Sequence, residues 1–171
     1  MEQKLTPPWT KGLIISLILI LLGLILHFAG QSQNKSLSWI QFVIIIISLI
    51  VVCRGYAKEN NGNVTFGNVF SHGFKTTATI IVIMVIYTVI AFKFLFPEMV
   101  DTIMNQARTD MEKKGDLSEE QINQGVEMGR KFFMPFAIGG IILMFAIIGA
   151  VGSLIGAAVA KKNPNYSPLE Q

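Results

Sequence analysis

The sequence has one cysteine, two histidines and few charged residues, and each shortage excludes a class of protein. Cys53 has no second cysteine with which to form an internal disulfide, so it is expected to pack as a small apolar residue. Only 15% of the chain is charged and 51% is hydrophobic, more apolar surface than a water-facing globule of 171 residues can bury. No catalytic triad, metal-ligand cluster or nucleotide-binding glycine loop is present, so the sequence predicts architecture better than activity.

Four long apolar stretches take up about half of the chain, at residues 13–29, 37–53, 76–96 and 136–160. Each is near the roughly 20 residues with which a helix crosses a bilayer. The runs lack the alternation of a barrel strand, and hydrocarbon requires each segment to satisfy its own backbone hydrogen bonds. The sequence therefore predicts an all-α membrane protein with four transmembrane helices, forming a single integral membrane domain over residues 1–171.

The charges outside these stretches predict the orientation. The N-terminus, the second loop and the C-terminus carry seven basic residues against only Glu2, Glu59 and Glu170: Lys4, Lys11, Arg54, Lys58, Lys75, Lys161 and Lys162. The opposite side carries Lys35 and a long third loop in which acidic residues outnumber basic ones. Basic segments stay in the cytoplasm, so both termini are predicted to be cytoplasmic. The net charge of +3 does not favour nucleic-acid binding, because no basic stripe alternates with aromatic residues.

The first apolar stretch has an alternative interpretation as a cleaved signal peptide, since basic residues precede it and Ala29 lies near its end. Its apolar run is longer than the usual signal core. The residues around Ala29 also do not form an A-x-A cleavage site. We therefore expect this stretch to remain as a helix.

The third loop is water-compatible and is predicted to form a helical hairpin on the outer face, at residues 97–133. Met99, Ile103, Met104 and other apolar residues recur every three to five positions, as on one face of a helix. Gly115 is a helix stop signal, and Ser118 with Gln121 forms a capping box for a second helix.

The polar and sulfur-containing residues of this loop have two interpretations each. Its eight carboxylates do not follow a calcium-loop spacing, which favours a solvated face paired with Arg108, Lys113 and Lys114. Its methionines are soft ligands suited to Cu(I), but packing is the commoner role of such residues: Met99, Met104, Met111 and Met128. We predict no metal, cofactor or catalytic residue.

The fourth stretch carries two adjoining rows of small residues, Gly149, Gly152, Ser153, Gly156, Ala157 and Ala160. Small residues let helix backbones approach closely, and close packing drives helix association in lipid. The rows predict either contact with another helix of the same chain or formation of a homo-oligomer.

The segment between the second and third stretches, residues 58–73, begins with asparagines and glycines. Apolar residues then return at spacings that predict a short helix lying on the membrane surface. The segment resembles the juxtamembrane motif of the domain of unknown function 4199 family in these residues: Gly62, Val64, Thr65, Phe66, Gly67, Phe70, Gly73, Phe74 and Lys75. The resemblance implies a bacterial inner-membrane protein with about four helices, and it carries over no catalytic or ligand residue.

The remaining polar residues near the predicted spans do not combine into a site. Lys93 is expected to extend its ammonium to the outer headgroups, or else to pair with an acidic residue or substrate there. His27 and His72 are predicted on opposite sides of the membrane, which excludes a shared metal site. No acidic residue lies inside a span, so the usual group for proton-coupled transport is missing.

These observations favour a non-enzymatic accessory, scaffold or envelope component that acts through helix packing and the outer hairpin, with a membrane protein as its partner. The alternative is a subunit of an oligomeric transporter or channel. That alternative requires a polar seam that faces one cavity, made by Ser16, Ser48, Thr77, Tyr87 and Thr88. A membrane enzyme ranks third, because no cluster of ionisable residues can be assembled at one depth.

Overall fold

The computed structural model describes residues 6–31 and 35–164, which contain six α-helices and no β-strand. Their bounds are Pro8–Phe28 (α1), Lys35–Glu59 (α2), Phe66–Ile90 (α3), Glu98–Lys114 (α4), Glu119–Lys131 (α5) and Phe133–Val159 (α6). Three residues used to predict the orientation, Glu2, Lys4 and Glu170, lie outside the described residues. The prediction of an all-α chain is confirmed.

Four of the described helices, α1, α2, α3 and α6, are long and apolar enough to cross a membrane. The 21 residues of α1 extend over about 32 Å, which matches the roughly 30 Å thickness of a bilayer's hydrocarbon core. The prediction of four long apolar helices is confirmed, and these helices indicate a multi-pass membrane protein.

The third membrane helix differs from its prediction at its start. α3 begins at Phe66 and runs unbroken to Ile90, so the prediction of a separate surface helix over residues 58–73 is wrong. Two apolar residues expected to face the membrane surface, Val64 and Val69, are buried at 3% and 0% exposure. Thr65 accepts a hydrogen bond from the Asn68 N–H (3.1 Å) and caps the first turn of α3. Val64 and Val69 therefore pack in the interior of the protein and do not face a lipid surface.

The chain divides into two compact units by internal contacts. The first unit is made of two segments of the chain, one before and including Met84 and one from Leu143 onward. The second unit is the segment between them, Val85–Ile142. In the first unit, large side chains such as Leu19, Ile45 and Ile80 are at most 2% exposed. Other large apolar residues of the same helices are exposed, as expected of side chains that face lipid.

The second unit contains α4 and α5, which are charged on their outer faces and pack against each other through Met104 and Ile122. α4 ends at Gly115, which adopts the left-handed conformation with φ of 72°. Ser118 and Gln121 form a reciprocal capping box at the start of α5. Both local predictions are confirmed.

Candidate functional site

The turn that joins α2 to α3 lies at one end of the first unit and is hydrogen-bonded to the segment after α6. Its backbone reverses through two successive left-handed residues, Asn61 (φ 54°) and Gly62 (φ 79°). The Gly62 N–H donates to the Ala57 carbonyl (2.8 Å), and the Gly62 carbonyl accepts from the Asn163 N–H (2.8 Å). A Cβ at position 62 would lie 3.0 Å from the Asn163 backbone nitrogen. Glycine is therefore required here by both conformation and space, and the turn is fastened to the residues that follow α6.

The motif residues divide between the interior and the surface of the first unit. Val64 lies in a buried cluster with Cys53, Ala57, Val69, Ala157 and Ala160. Gly73 lies against α2 and α6, since a Cβ there would stand 2.7 Å from both Cys53 Sγ and Ser153 Oγ. Phe66, Gly67, Phe74 and Lys75 are exposed, whereas Thr65 and Phe70 are half-buried. Gly62 and Gly73 permit close packing, and the aromatic residues mainly face outward.

The small residues of α6 lie against two other helices of the same unit. Gly149 lies against Thr77 of α3, and Gly152 lies against Leu49 and Ile46 of α2. Gly156 is so close to α2 that an added Cβ would be 2.7 Å from Cys53 Cβ. Ser153 and Ala157 are completely buried, and Ala160 is 7% exposed. The rows are thus occupied by contacts within one chain.

Polar contacts connect the start of α1 to the same end of the unit. The Lys11 ammonium forms an ion pair with Glu59 at the end of α2 (3.0 Å), and the Thr6 N–H donates to the other carboxylate oxygen (3.2 Å). These side chains are only partly exposed, at 13% for Lys11 and 28% for Glu59.

A pair of stacked rings, one of them buried, lies near this contact. His72 stacks on Tyr56 with ring centroids 4.2 Å apart. His72 is 7% exposed, and its Nε2 has no hydrogen-bond partner among the described residues. Flat stacking and burial indicate a packing role for the imidazole ring.

A cavity of about 710 Å³ opens beside the turn. Residues at the end of α2, the turn itself and the segment after α6 line it, and four of them are basic: Arg54, Lys58, Lys161 and Lys162. None of the described residues that line the cavity is acidic. Lys162 also lies over the Phe66 ring, 5.2 Å from its centroid. This arrangement can attract an anion.

Gly62, Gly73 and the turn between α2 and α3 thus pack together with α6 in the first unit. A family model described as "Protein of unknown function (DUF4199)" matches residues 10–162. The chain belongs to the DUF4199 family. No curated protein and no solved structure matches the chain.

The DUF4199 match extends over all four apolar helices and the two charged helices between α3 and α6. It also includes the described residues that line the basic cavity, except Asn163. Family membership gives the chain a context without assigning an activity.

Lys93 lies in a π-helical turn, Ala91–Leu95, that extends α3. Its side chain is exposed and forms no ion pair within the part of the chain that the structure describes. Asp101 of α4 pairs with Arg130 of α5. The predicted extension of Lys93 to the outer headgroups stays a prediction.

The methionines of the second unit occupy different environments. Met104 is 7% exposed and its sulfur would stand 3.3 Å from a Cβ at Gly129, while the Met111 sulfur lies near Gly125. Met128 is 62% exposed. Met104 and Met111 therefore pack α4 against α5, as the packing interpretation predicts, whereas Met128 faces outward.

Sequence reasoning missed the basic cavity and the Lys11–Glu59 ion pair. Arg54 and Lys58 are four residues apart on α2, so they were recognisable as neighbours on one helix face. The Lys161–Lys162 pair was visible as well. No sequence signal indicated that these two basic pairs meet, because the contact depends on the Gly62–Asn163 hydrogen bond.

Proposed function

We propose that this DUF4199 protein is a non-enzymatic accessory or scaffold component of the bacterial inner membrane. The four apolar helices anchor it, and α4 with α5 forms a helical hairpin on the outer face that contacts a membrane-protein partner. The supporting observation is an exposed apolar pair on and just after α5, Met128 (62%) and Phe132 (43%). Exposed apolar side chains framed by polar ones are typical of protein interaction surfaces.

The exposed pair borders a cavity of about 290 Å³ that Gln124, Glu127 and Lys131 also line. The packing of α4 against α5 uses Met104 and Ile122, so Met128 and Phe132 remain available for another contact. The apolar pair would anchor the partner, and the polar residues around it would form the rim of the interface.

The distribution of charged residues supports the proposed orientation of the protein in the membrane. The ends of α2 and α6 and the start of α1 carry the excess of basic residues, which favours their cytoplasmic placement. The segment at residues 97–133 has eight acidic and five basic residues, which suits the outer face.

The orientation can be tested with single cysteines in a Cys53→Ser background. Asp116→Cys in the segment between α4 and α5 and Gly67→Cys at the start of α3 both occupy exposed positions. A membrane-impermeant thiol reagent is expected to label the first in intact cells and the second only after lysis. The reverse pattern would contradict the proposed topology, and labelling of both after lysis is the control.

The partner contact can be tested with a photo-crosslinking amino acid at Met128, followed by mass spectrometry of native membranes. One heterologous membrane protein is expected to be captured, and Phe132→Ala is expected to reduce its yield. The same amino acid at Asn105, an exposed position of α4, is the matched control. Equal capture from both positions would contradict a specific interface.

The alternative of an oligomeric transporter or channel rests on a shared polar seam. The Ser16 hydroxyl donates to the Gly12 carbonyl (2.8 Å), and the Thr77 hydroxyl donates to the Gly73 carbonyl (3.2 Å). Both side chains are buried and bond within their own helices, which is the usual role of such residues in membrane helices. Exclusive self-crosslinking from Met128 would favour the oligomeric alternative over the scaffold.

A further inference from the structure

The described residues that line the basic cavity of the first unit carry charge of one sign only. Arg54 and Lys58 come from α2, and Lys161 and Lys162 come from the segment after α6. The other described lining residues are small, amide or apolar: Val51, Gly55, Ala57, Asn61, Gly62 and Asn163. Four cations around one space of about 710 Å³ produce a strongly positive local potential.

These cations are not neutralised within the described residues. Arg54, Lys58 and Lys161 form no ion pair there, and Lys162 interacts with the ring of Phe66. The neighbouring carboxylate of Glu59 is already occupied by Lys11 and by the Thr6 N–H. Among the described residues, the charge of the cavity is therefore available to an anion.

The cavity lies at the level where membrane helices meet lipid headgroups. Lys58 is adjacent to Glu59, and the Lys11–Glu59 ion pair places the start of α1 at the same end of the unit. Trp9, near the start of α1, is 62% exposed. Exposed tryptophans at helix ends mark the membrane–water interface. An anion at this depth is flanked by both water and hydrocarbon.

An exposed apolar row on α2 leads to the cavity. Val43, Ile47 and Val51 follow each other every four residues and are 52%, 56% and 63% exposed. Gly55 continues the row, and a Cβ there would meet no atom of the described residues within 4 Å. Residues four apart lie on one helix face, so the row forms an apolar path that ends where the glycine leaves space. An acyl chain can pack along this apolar path, whereas a soluble anion gains nothing from it.

We infer that this cavity binds the phosphate of an anionic phospholipid, whose acyl chain lies along Val43, Ile47 and Val51. Basic recesses between membrane helices are well suited to anionic headgroups. A lipid with two phosphates neutralises more of the four cations than a lipid with one. The inference is independent of the proposed partner contact and of which membrane face the cavity adjoins.

The test is lipid binding to the purified full-length chain in neutral detergent, titrated by native mass spectrometry. The probes are cardiolipin, phosphatidylglycerol and phosphatidylcholine with matched chains, and inorganic phosphate as a competitor. Binding is expected to weaken from cardiolipin to phosphatidylglycerol to phosphatidylcholine. Millimolar phosphate is expected to displace little of the lipid, because it cannot use the apolar path.

Two variants test separately how the cations and the open space at Gly55 contribute to lipid binding. Lys58→Gln combined with Lys161→Gln is expected to weaken cardiolipin binding about 30-fold, from roughly fivefold per cation near a membrane surface. Its control is Lys113→Gln combined with Lys114→Gln, which removes the same charge from α4. Gly55→Leu fills the open space and retains all four cations, so it is expected to weaken binding as well. Gly139→Leu is its control, since position 139 is equally open.

Equal binding of phosphatidylcholine and cardiolipin would overturn the inference, and so would equal losses in the variants and their controls. Full displacement of the lipid by phosphate would assign the cavity to a soluble anion and would overturn the lipid proposal. Lys58→Arg with Lys161→Arg retains the charge and is expected to restore binding. Circular dichroism of each variant separates loss of binding from loss of folding.

Discussion

The two units of this chain are packed by different means. In the first, glycine, alanine, serine and cysteine bring helix backbones together, as at Gly156 against Cys53 and at Gly73 against Ser153. In the second, larger side chains such as Met104 and Ile122 fill the space between α4 and α5, while charged residues cover their outer faces.

The difference follows from the surroundings of each set of helices. In lipid, burial of an apolar side chain gains little, so association depends on close van der Waals contact between backbones. Helices in water gain free energy by removing apolar side chains from solvent, which favours amphipathic helices with larger residues. The first unit should therefore be sensitive to added volume, and the second should tolerate it.

The largest difference in the free energy of unfolding is expected between two glycine-to-alanine variants of α6, each of which adds one methyl group. Gly149→Ala introduces a Cβ that overlaps the buried, β-branched side chain of Thr77. We expect a loss of about 3 kcal/mol in the free energy of unfolding, near the upper end for overpacking. Gly139→Ala meets no atom within 4 Å and is expected to be neutral or to stabilise by up to about 1 kcal/mol.

Cys53 provides the readout for this comparison. It is the single cysteine of the chain and is fully buried in the first unit, so its modification by a maleimide in detergent reports opening of that unit. Gly149→Ala is expected to accelerate the modification, and Gly139→Ala is not. Equal rates in the two variants would refute the difference in packing.

A smaller effect is expected from the ion pairs of the two units. Glu59→Gln removes the charge that Lys11 meets in a partly buried position, and we expect a loss of about 2 kcal/mol. Glu112→Gln removes the partner of Arg108 on the more exposed surface of α4 and is expected to cost less than about 0.5 kcal/mol. Thermal unfolding in detergent measures both. A larger loss for Glu112→Gln would reverse the comparison.

The smallest difference between the two units is expected from their helix caps. Ser118→Ala removes the capping box of α5, and Thr65→Ala removes the cap of α3, at a cost of about 1 kcal/mol each. Hydrogen exchange is expected to increase locally at the start of α5. At the start of α3 the increase should be smaller, because Val64 and Val69 remain buried on either side of Thr65. Similar local increases at both caps would show that burial does not protect α3.

Local features were predictable where the chemistry depends on neighbours in the sequence. The left-handed Gly115 and the Ser118–Gln121 capping box need only a few residues and were predicted correctly. The start of α3 was predicted wrongly, because Val64 and Val69 show the same apolar spacing whether they face lipid or other helices. The pairing considered for Lys93 likewise depended on contacts that spacing does not reveal.

By itself, the sequence determined the four apolar helices and the charged segment between the last two, because bilayer thickness and backbone hydrogen bonding leave few other solutions. Only the tertiary structure decided what the glycines of α6 contact and how two distant basic pairs come to line one cavity. Lys58 and Lys161 are separated in the sequence by four helices, α3 to α6. Their proximity depends on the Gly62–Asn163 hydrogen bond and the close approach of α6 to α2, which are long-range contacts that no local pattern encodes.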